Sequence, residues 1–132
     1  MIEVLLDENL SEYVAQALNF LNKGYFKDIQ VLSTKEKFGK GVTDEILIPS
    51  IAQTGGILIT RDFSIHKTRL QYDLCKQYEL GVFFLRLPKN QDKHWEIVKS
   101  LVNHWEEIIG KIYRDKKPFA FRVPIKGQIE KL

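Results

Sequence analysis

The apolar positions of this chain follow two rhythms. Ile2–Leu6, Ile29–Ser33, Ile57–Thr60, Val82–Leu87 and Phe119–Val123 are short, almost unbroken apolar runs, rich in β-branched and aromatic residues. Runs of that kind suit strands covered on both faces, as in a parallel sheet. Between them, apolar residues recur at intervals of three and four. Leu10, Tyr13, Val14, Ala17, Leu18 and Leu21 mark one face of a helix. Asn9 or Asp7 is placed to cap its start, and Gly24 to end it in a left-handed turn. Thr43 is a candidate cap for a helix reaching about Gln53, with Asp44 and Glu45 in its first turn and Pro49 expected to kink or restart it. A helix over about His66–Tyr78 carries Leu70, Leu74 and Tyr78 on one stripe and ends at Gly81. The longest helix, from about Asp92 to Tyr113, carries Val98, Leu101, Val102, Trp105, Ile108, Ile109 and Ile112. The segment Thr34–Val42, with Gly39 and Gly41, reads as a charged loop.

Strands and helices therefore alternate, β-α-β-α-β-α-β-α-β. This order argues for an open α/β sheet, mainly parallel, with helices on both faces and right-handed crossovers. In such sheets ligand sites lie outside the carboxyl ends of the strands. No repeat or Pro/Gly-rich linker interrupts the chain, so one domain is expected over residues 1–124, with a basic tail at 125–132.

Composition narrows the class. The chain has 132 residues, 44% hydrophobic and 28% charged, too apolar for a disordered protein and long enough to bury a core unaided. Its single cysteine, Cys75, excludes an internal disulfide and fits a reducing compartment, where it reads as a core or boundary thiol. No signal-peptide pattern or membrane-length apolar stretch stands out, so a cytoplasmic protein with no membrane partner is expected. The net charge of +3 does not by itself argue for nucleic acid. From Lys111 onward, however, seven Lys/Arg face two acids, which is either a solvated tail or a phosphate-attracting surface.

The chemistry concentrates where the sheet rule directs attention. The first strand ends in Asp7-Glu8, the third in Thr60-Arg61-Asp62, and the helix before the third strand begins with Asp44-Glu45. Acids far apart in sequence are thus delivered to one rim. Carboxylates gathered there repel one another unless protons or cations are shared among them. A hard divalent cation, Mg²⁺ or Mn²⁺, is the natural solution, and it can activate water and steady a phosphodiester. Each acid also makes sense as a helix cap or first-turn residue alone. Arg61, His66, Lys67 and Arg69 suit a rim that meets an RNA backbone.

Val4-Leu5-Leu6-Asp7-Glu8-Asn9-Leu10, then Thr43-Asp44-Glu45, then Ile57-Leu58-Ile59-Thr60-Arg61-Asp62, resemble the PIN-like superfamily, and within it the small VapC-toxin-like branch. The stretch from Thr60 through Leu70 to Val82-Phe83-Phe84-Leu85 follows the same branch, so the resemblance covers about residues 1–87. It implies a three-layer α/β/α sandwich with a mainly parallel central sheet of four to five strands. It also implies a Mg²⁺- or Mn²⁺-dependent ribonuclease, often a toxin neutralised by an antitoxin protein. Asp7, Asp44 and Asp62 would be the metal-binding acids, with Glu45 the alternative to Asp44. Thr60 could orient Asp62 through its hydroxyl or serve simply as a β-branched strand residue. Where a fourth acid would be sought stand Ser64 and Gln71, with Asp73 a turn late. That departure leaves room for a weakened second metal site, or for a non-catalytic domain that binds RNA or a protein. A homodimer is the general prior for soluble oligomers.

Other features carry less. A receiver-like signalling domain shares the fold class, but Arg86-Leu87-Pro88 ends the fourth strand where it would need Thr or Ser. His94 and His104 lie ten residues apart on one helix, about 280° apart around its axis, and cannot share a metal. Trp95 and Trp105 read as packing residues rather than stacking platforms.

Overall fold

Strand side chains alternate between the two faces of a sheet, so apolar runs such as Val4-Leu5-Leu6 must be covered twice. The computed structural model meets that demand with two helical layers. It describes residues 1–61, 65–87 and 94–132, with 65–67 described only by their place in a helix. The elements are β1 (Ile2–Leu6), α1 (Glu12–Asn22), β2 (Ile29–Ser33), α2 (Thr34–Phe38), α3 (Asp44–Ala52), β3 (Ile57–Arg61), α4 (Ile65–Gln77), β4 (Gly81–Leu85), α5 (His94–Arg114), β5 (Phe119–Val123) and β6 (Glu130–Lys131). The sheet order is β2-β1-β3-β4-β5-β6. The first five strands are parallel and β6 is antiparallel to β5.

The α/β class and the mainly parallel sheet are as expected. The sheet has six strands rather than four to five, because the end of the basic segment returns to pair Arg122 with Glu130. Buried Ile129 and a hydrogen bond from the His104 ring to the Gly127 carbonyl hold that segment down.

One core lies between the sheet and α1 with α5: Val4, Leu6, Ile59, Phe83 and Phe121 meet Val14, Leu18, Leu101 and Ile108. The other lies on the opposite face, where Leu5, Leu58, Val82 and Phe84 meet Leu47, Ile48 and Ile51 of α3 and Cys75 of α4. Gly81 is obligatory where the chain enters β4. A Cβ there would stand 2.2 Å from the ring of Phe119 on the neighbouring strand.

Local signals differ from the sequence pattern in several places, each for a physical reason. Neither Asp7 nor Asn9 caps α1; Ser11 does, through Tyr13 N–H to Oγ at 3.1 Å, because the chain first turns with Leu10 N–H on the Asp7 carbonyl. The buried face of α1 is Val14, Ala15, Leu18 and Asn22, while Tyr13 and Leu21 are exposed. Its end at Lys23 is right-handed, so Gly24 supplies no left-handed cap. The expected loop after β2 opens with a helical turn, α2, begun by Ser33 Oγ accepting from Glu36 N–H and ended by Gly39 at φ 82°. Pro49 sits inside α3 without ending it, since the amide it lacks would have served only the carbonyl of exposed Glu45. The buried stripe of α4 is Thr68, Gln71 and Cys75, not Leu70 and Tyr78, which are exposed. Glu79, at φ 59°, turns the chain out of α4 before Gly81 opens β4. In α5, Val102 is exposed, whereas Ser100 and His104 are buried. Asp92 and Pro88 lie outside the described residues. Among the described residues no helix is long and apolar enough to cross a membrane.

Candidate active site

The chain order reverses between β1 and β3. From β1 it crosses to β2 on one side, then returns to lay β3 on the other. At such a switch point the crossovers leave in opposite directions and open a crevice at the carboxyl ends of the two strands. Asp7 and Thr60 stand there.

Their pairing follows from register. Leu6 is opposite Ile59, and Asp7 N–H continues the ladder by donating to the Ile59 carbonyl at 2.9 Å. Asp7 shares the face of Leu5 by alternation, and Thr60 that of Leu58, so both turn toward α3 and α4. Thr60 is fully buried, and its hydroxyl donates to Asp7 Oδ2 at 3.1 Å. Asn9 Nδ2 donates to the same oxygen at 3.2 Å. Among the described residues, both side-chain hydrogen bonds of Asp7 therefore fall on Oδ2 and leave Oδ1 for something else. Asp7 itself is 7% exposed. A carboxylate so withdrawn from water costs several kcal/mol unless partners compensate, about 1.5–3 kcal/mol each for hydrogen bonds to charge.

α3 begins on this side with Asp44. Thr43 precedes it but makes no side-chain cap. Asp44 is half-buried, and Gln71 Nε2 of α4 approaches its Oδ1 at 3.5 Å, the outer limit of a hydrogen bond. Gln71 is 3% exposed, and its carbonyl oxygen Oε1 has no partner. An orphaned buried acceptor costs about 1–3 kcal/mol. Below Gln71 on the same stripe lies Cys75, whose thiol is pushed up to about 12 by burial first and by the Asp44 charge second. The thiol stays protonated and inert there.

Glu45 is exposed, so of the two acids at the start of α3 it is Asp44 that turns toward α4. Thr60, expected to serve Asp62 or the strand alone, gives its hydroxyl to Asp7. Arg61 ends β3 half-buried. Arg69 lies on the outer flank of α4 in an exposed ion pair with Asp73 at 3.4 Å, two residues and about 200° around the helix from Gln71. Asp62 and Ser64 lie outside the described residues, as do the side chains of His66 and Lys67. Among the described residues, no three of His, Cys, Asp and Glu come together as a metal cluster.

Sequence reasoning overlooked two contributors. Asn9 serves as a carboxylate donor instead of a helix cap. Glu8 Oε2 accepts from Gly41 N–H at 2.8 Å and so anchors the loop that presents α3. Its signal was a second acid beside Asp7 and a glycine-bearing loop before Asp44.

A family model described as a PIN like domain matches residues 2–87. The chain belongs to the PIN-like domain family. The match runs from β1 to just past β4 and takes in Asp7, Asp44, Thr60 and Gln71, while α5, β5 and β6 lie beyond it. Neither the curated proteins nor the solved structures offer a match. The PIN-like domain is a nuclease-type fold.

Proposed function

We propose that this PIN-like domain is a ribonuclease dependent on Mg²⁺ or Mn²⁺. The observation that carries the reading is the arrangement of Asp7, a buried carboxylate at the switch point whose two side-chain donors among the described residues both fall on Oδ2. The remaining groups fit a hard cation: Asp44 and the orphaned Gln71 Oε1 are oxygen donors on the same side of the sheet. A divalent cation bound there would supply positive charge to a phosphodiester and acidify the attacking water. The chain's own part is to hold Asp7 rigid through Thr60 and Asn9 and to steady Asp44 through Gln71. Asp62 completes the acid set in this reading, and Arg61, His66 and Lys67 draw the RNA backbone, with Arg69 farther out on the flank of α4. A toxin's role in the cytoplasm, with an antitoxin partner and a homodimeric state, belongs to the same proposal and rests on the VapC-like pattern of residues 1–87.

The test is cleavage of a mixed RNA pool by purified protein with Mn²⁺, beside EDTA and the variants Asp7→Asn and Asp62→Asn. Cleavage should disappear in all three controls. Equal cleavage by both variants would remove the site assignment.

A second reading is favoured by Gln71. Its amide already offers Asp44 a neutral donor, and a domain that binds RNA or protein without catalysis needs no more. Tight RNA binding in EDTA with no turnover in Mn²⁺ would select it.

A further inference from the structure

Gln71 is the least settled polar group near this crevice. It is 3% exposed, on the buried stripe of α4, between a carboxylate and an apolar layer. One end of its amide has a purpose, donating to Asp44. The other end, Oε1, has no donor. A glutamine oxygen can accept twice, so both of its places are open. A leucine would fill nearly the same volume and bury nothing polar.

We infer that Gln71 Oε1 is a neutral donor to the divalent cation at this site, facing it together with Asp44. This rests on the ribonuclease reading above and extends it to a residue that is neither acidic nor part of the expected acid set. Side-chain amide oxygens are ordinary ligands for hard cations, directly or through a bound water. The geometry suits the division of labour: Nε2 fixes the Asp44 carboxylate, and the amide plane then sets the direction of Oε1. Because the donor is neutral, the site gathers less negative charge than a fourth carboxylate would bring. It should bind its cation more weakly than a Gln71→Glu variant.

The experiment is Mn²⁺ titration of the full chain, read by the loss of the free-ion EPR signal, for the natural protein, Gln71→Leu, Gln71→Glu and Asp7→Asn. Thermal melting checks that each folds. Gln71→Leu should bind at least tenfold more weakly, and Gln71→Glu at least tenfold more tightly. In the natural protein, saturating Mg²⁺ should shift the NMR signals of the Gln71 side-chain amide, identified by their absence from Gln71→Leu. If Mn²⁺ binding is lost in Asp7→Asn but falls less than tenfold in Gln71→Leu, the role of Gln71 is overturned and the acid site stands. If the natural protein binds no Mn²⁺, or Asp7→Asn binds it equally well, the site reading and this inference fall together. Should Gln71→Leu fail to fold, the amide is identified from Gln71→Glu instead. Unmoved amide signals at saturating Mg²⁺ then overturn the inference.

Discussion

Thr60→Val tests whether the strand pairing at the switch point holds the Asp7 carboxylate. Valine keeps the β-branched shape and the strand preference of threonine, so the change removes little except the hydroxyl. That hydroxyl is fully buried and 3.1 Å from Asp7 Oδ2, with Asn9 the other donor. A hydrogen bond to a charged group contributes about 1.5–3 kcal/mol, and burial of Asp7 argues for the upper half of that range. Against a total stability of roughly 5–15 kcal/mol the loss is large. With a urea slope of about 2 kcal/mol per M it moves the unfolding midpoint down by about 1 M, with the slope unchanged. Two companions isolate the cause. Thr60→Ser keeps the hydroxyl and should lose only about 1 kcal/mol, for the buried methyl. In an Asp7→Asn background the Thr60→Val cost should shrink, because the two residues are coupled. The measurement is urea unfolding at pH 7 without divalent cations. The reasoning fails if Thr60→Val leaves the midpoint in place, or if Thr60→Ser falls as far.

Three further outcomes are expected. Gly81→Ala should cost about 3 kcal/mol or prevent folding, since its Cβ would meet a Phe119 ring already packed against Phe83 and Phe121; thermal melting reads this, and an unchanged melting point would contradict the contact. Asn19→Ala should cost about 1–3 kcal/mol and promote self-association, because the Asn19 amide occupies both the N–H and the carbonyl of Val31 on the open edge of β2, at 2.7 and 2.6 Å; urea unfolding and gel filtration at rising concentration check the two parts. Stability should decline as pH rises from 9 toward 12. The Cys75 thiol is pushed up from 9.0 to about 12 in the folded protein, so it is neutral in both states below 9 and ionises first in the unfolded chain above it. The Tyr113 hydroxyl, also pushed up to about 12 through its bond to the Asp28 carboxylate, adds to the decline only above its ordinary value of 10.0. Cys75→Ala should therefore flatten the curve between pH 9 and 10, as followed by urea midpoints.

The strands were legible because a parallel sheet buried on both faces leaves unbroken apolar runs, and Ile29–Ser33 and Phe119–Val123 have the limits expected of them. The helix faces were less so, and the reason is the same in each. Asn22, Gln71, Ser100 and His104 occupy buried helix positions that a search for apolar residues passes over. Asn22 Oδ1 is there to accept from Trp105 Nε1 at 2.8 Å, and the His104 ring lies between the Ser100 and Gly127 carbonyls, with Nδ1 2.9 Å from the first and Nε2 3.1 Å from the second. Such pairings join residues 83 and 23 positions apart in the chain, which no local spacing reveals. The short helix α2 escaped notice because its five residues include three charges. Its lysines point outward to Glu12 and Glu3, and only Ser33 marks its start. Of the candidate site, Asp7 and Asp44 could be read as acids delivered to one rim. The partnership of Asp44 with Gln71 could not, since it depends on α3 and α4 covering the same face.

The adjacent acids Asp7 and Glu8 show how this rim is assembled. The chain turns directly after Asp7, with Leu10 N–H on the Asp7 carbonyl, so the two consecutive acids leave in different directions and serve two different elements. Asp7 ties the end of β1 to β3 through Thr60. Glu8 ties it to Gly41, two residues before Thr43 and the start of α3. Gly41 adopts φ 78°, a conformation that lets its N–H turn to the carboxylate at no steric cost. β1 thus sits at the centre of the crevice and holds both the strand and the helix that border it. Asp44 reaches the crevice because Glu8 anchors the loop ahead of it. The position of one candidate ligand is therefore set by an acid that is not itself a candidate. Removing Glu8 would act on the site through the loop, and removing Asp7 would act on it directly.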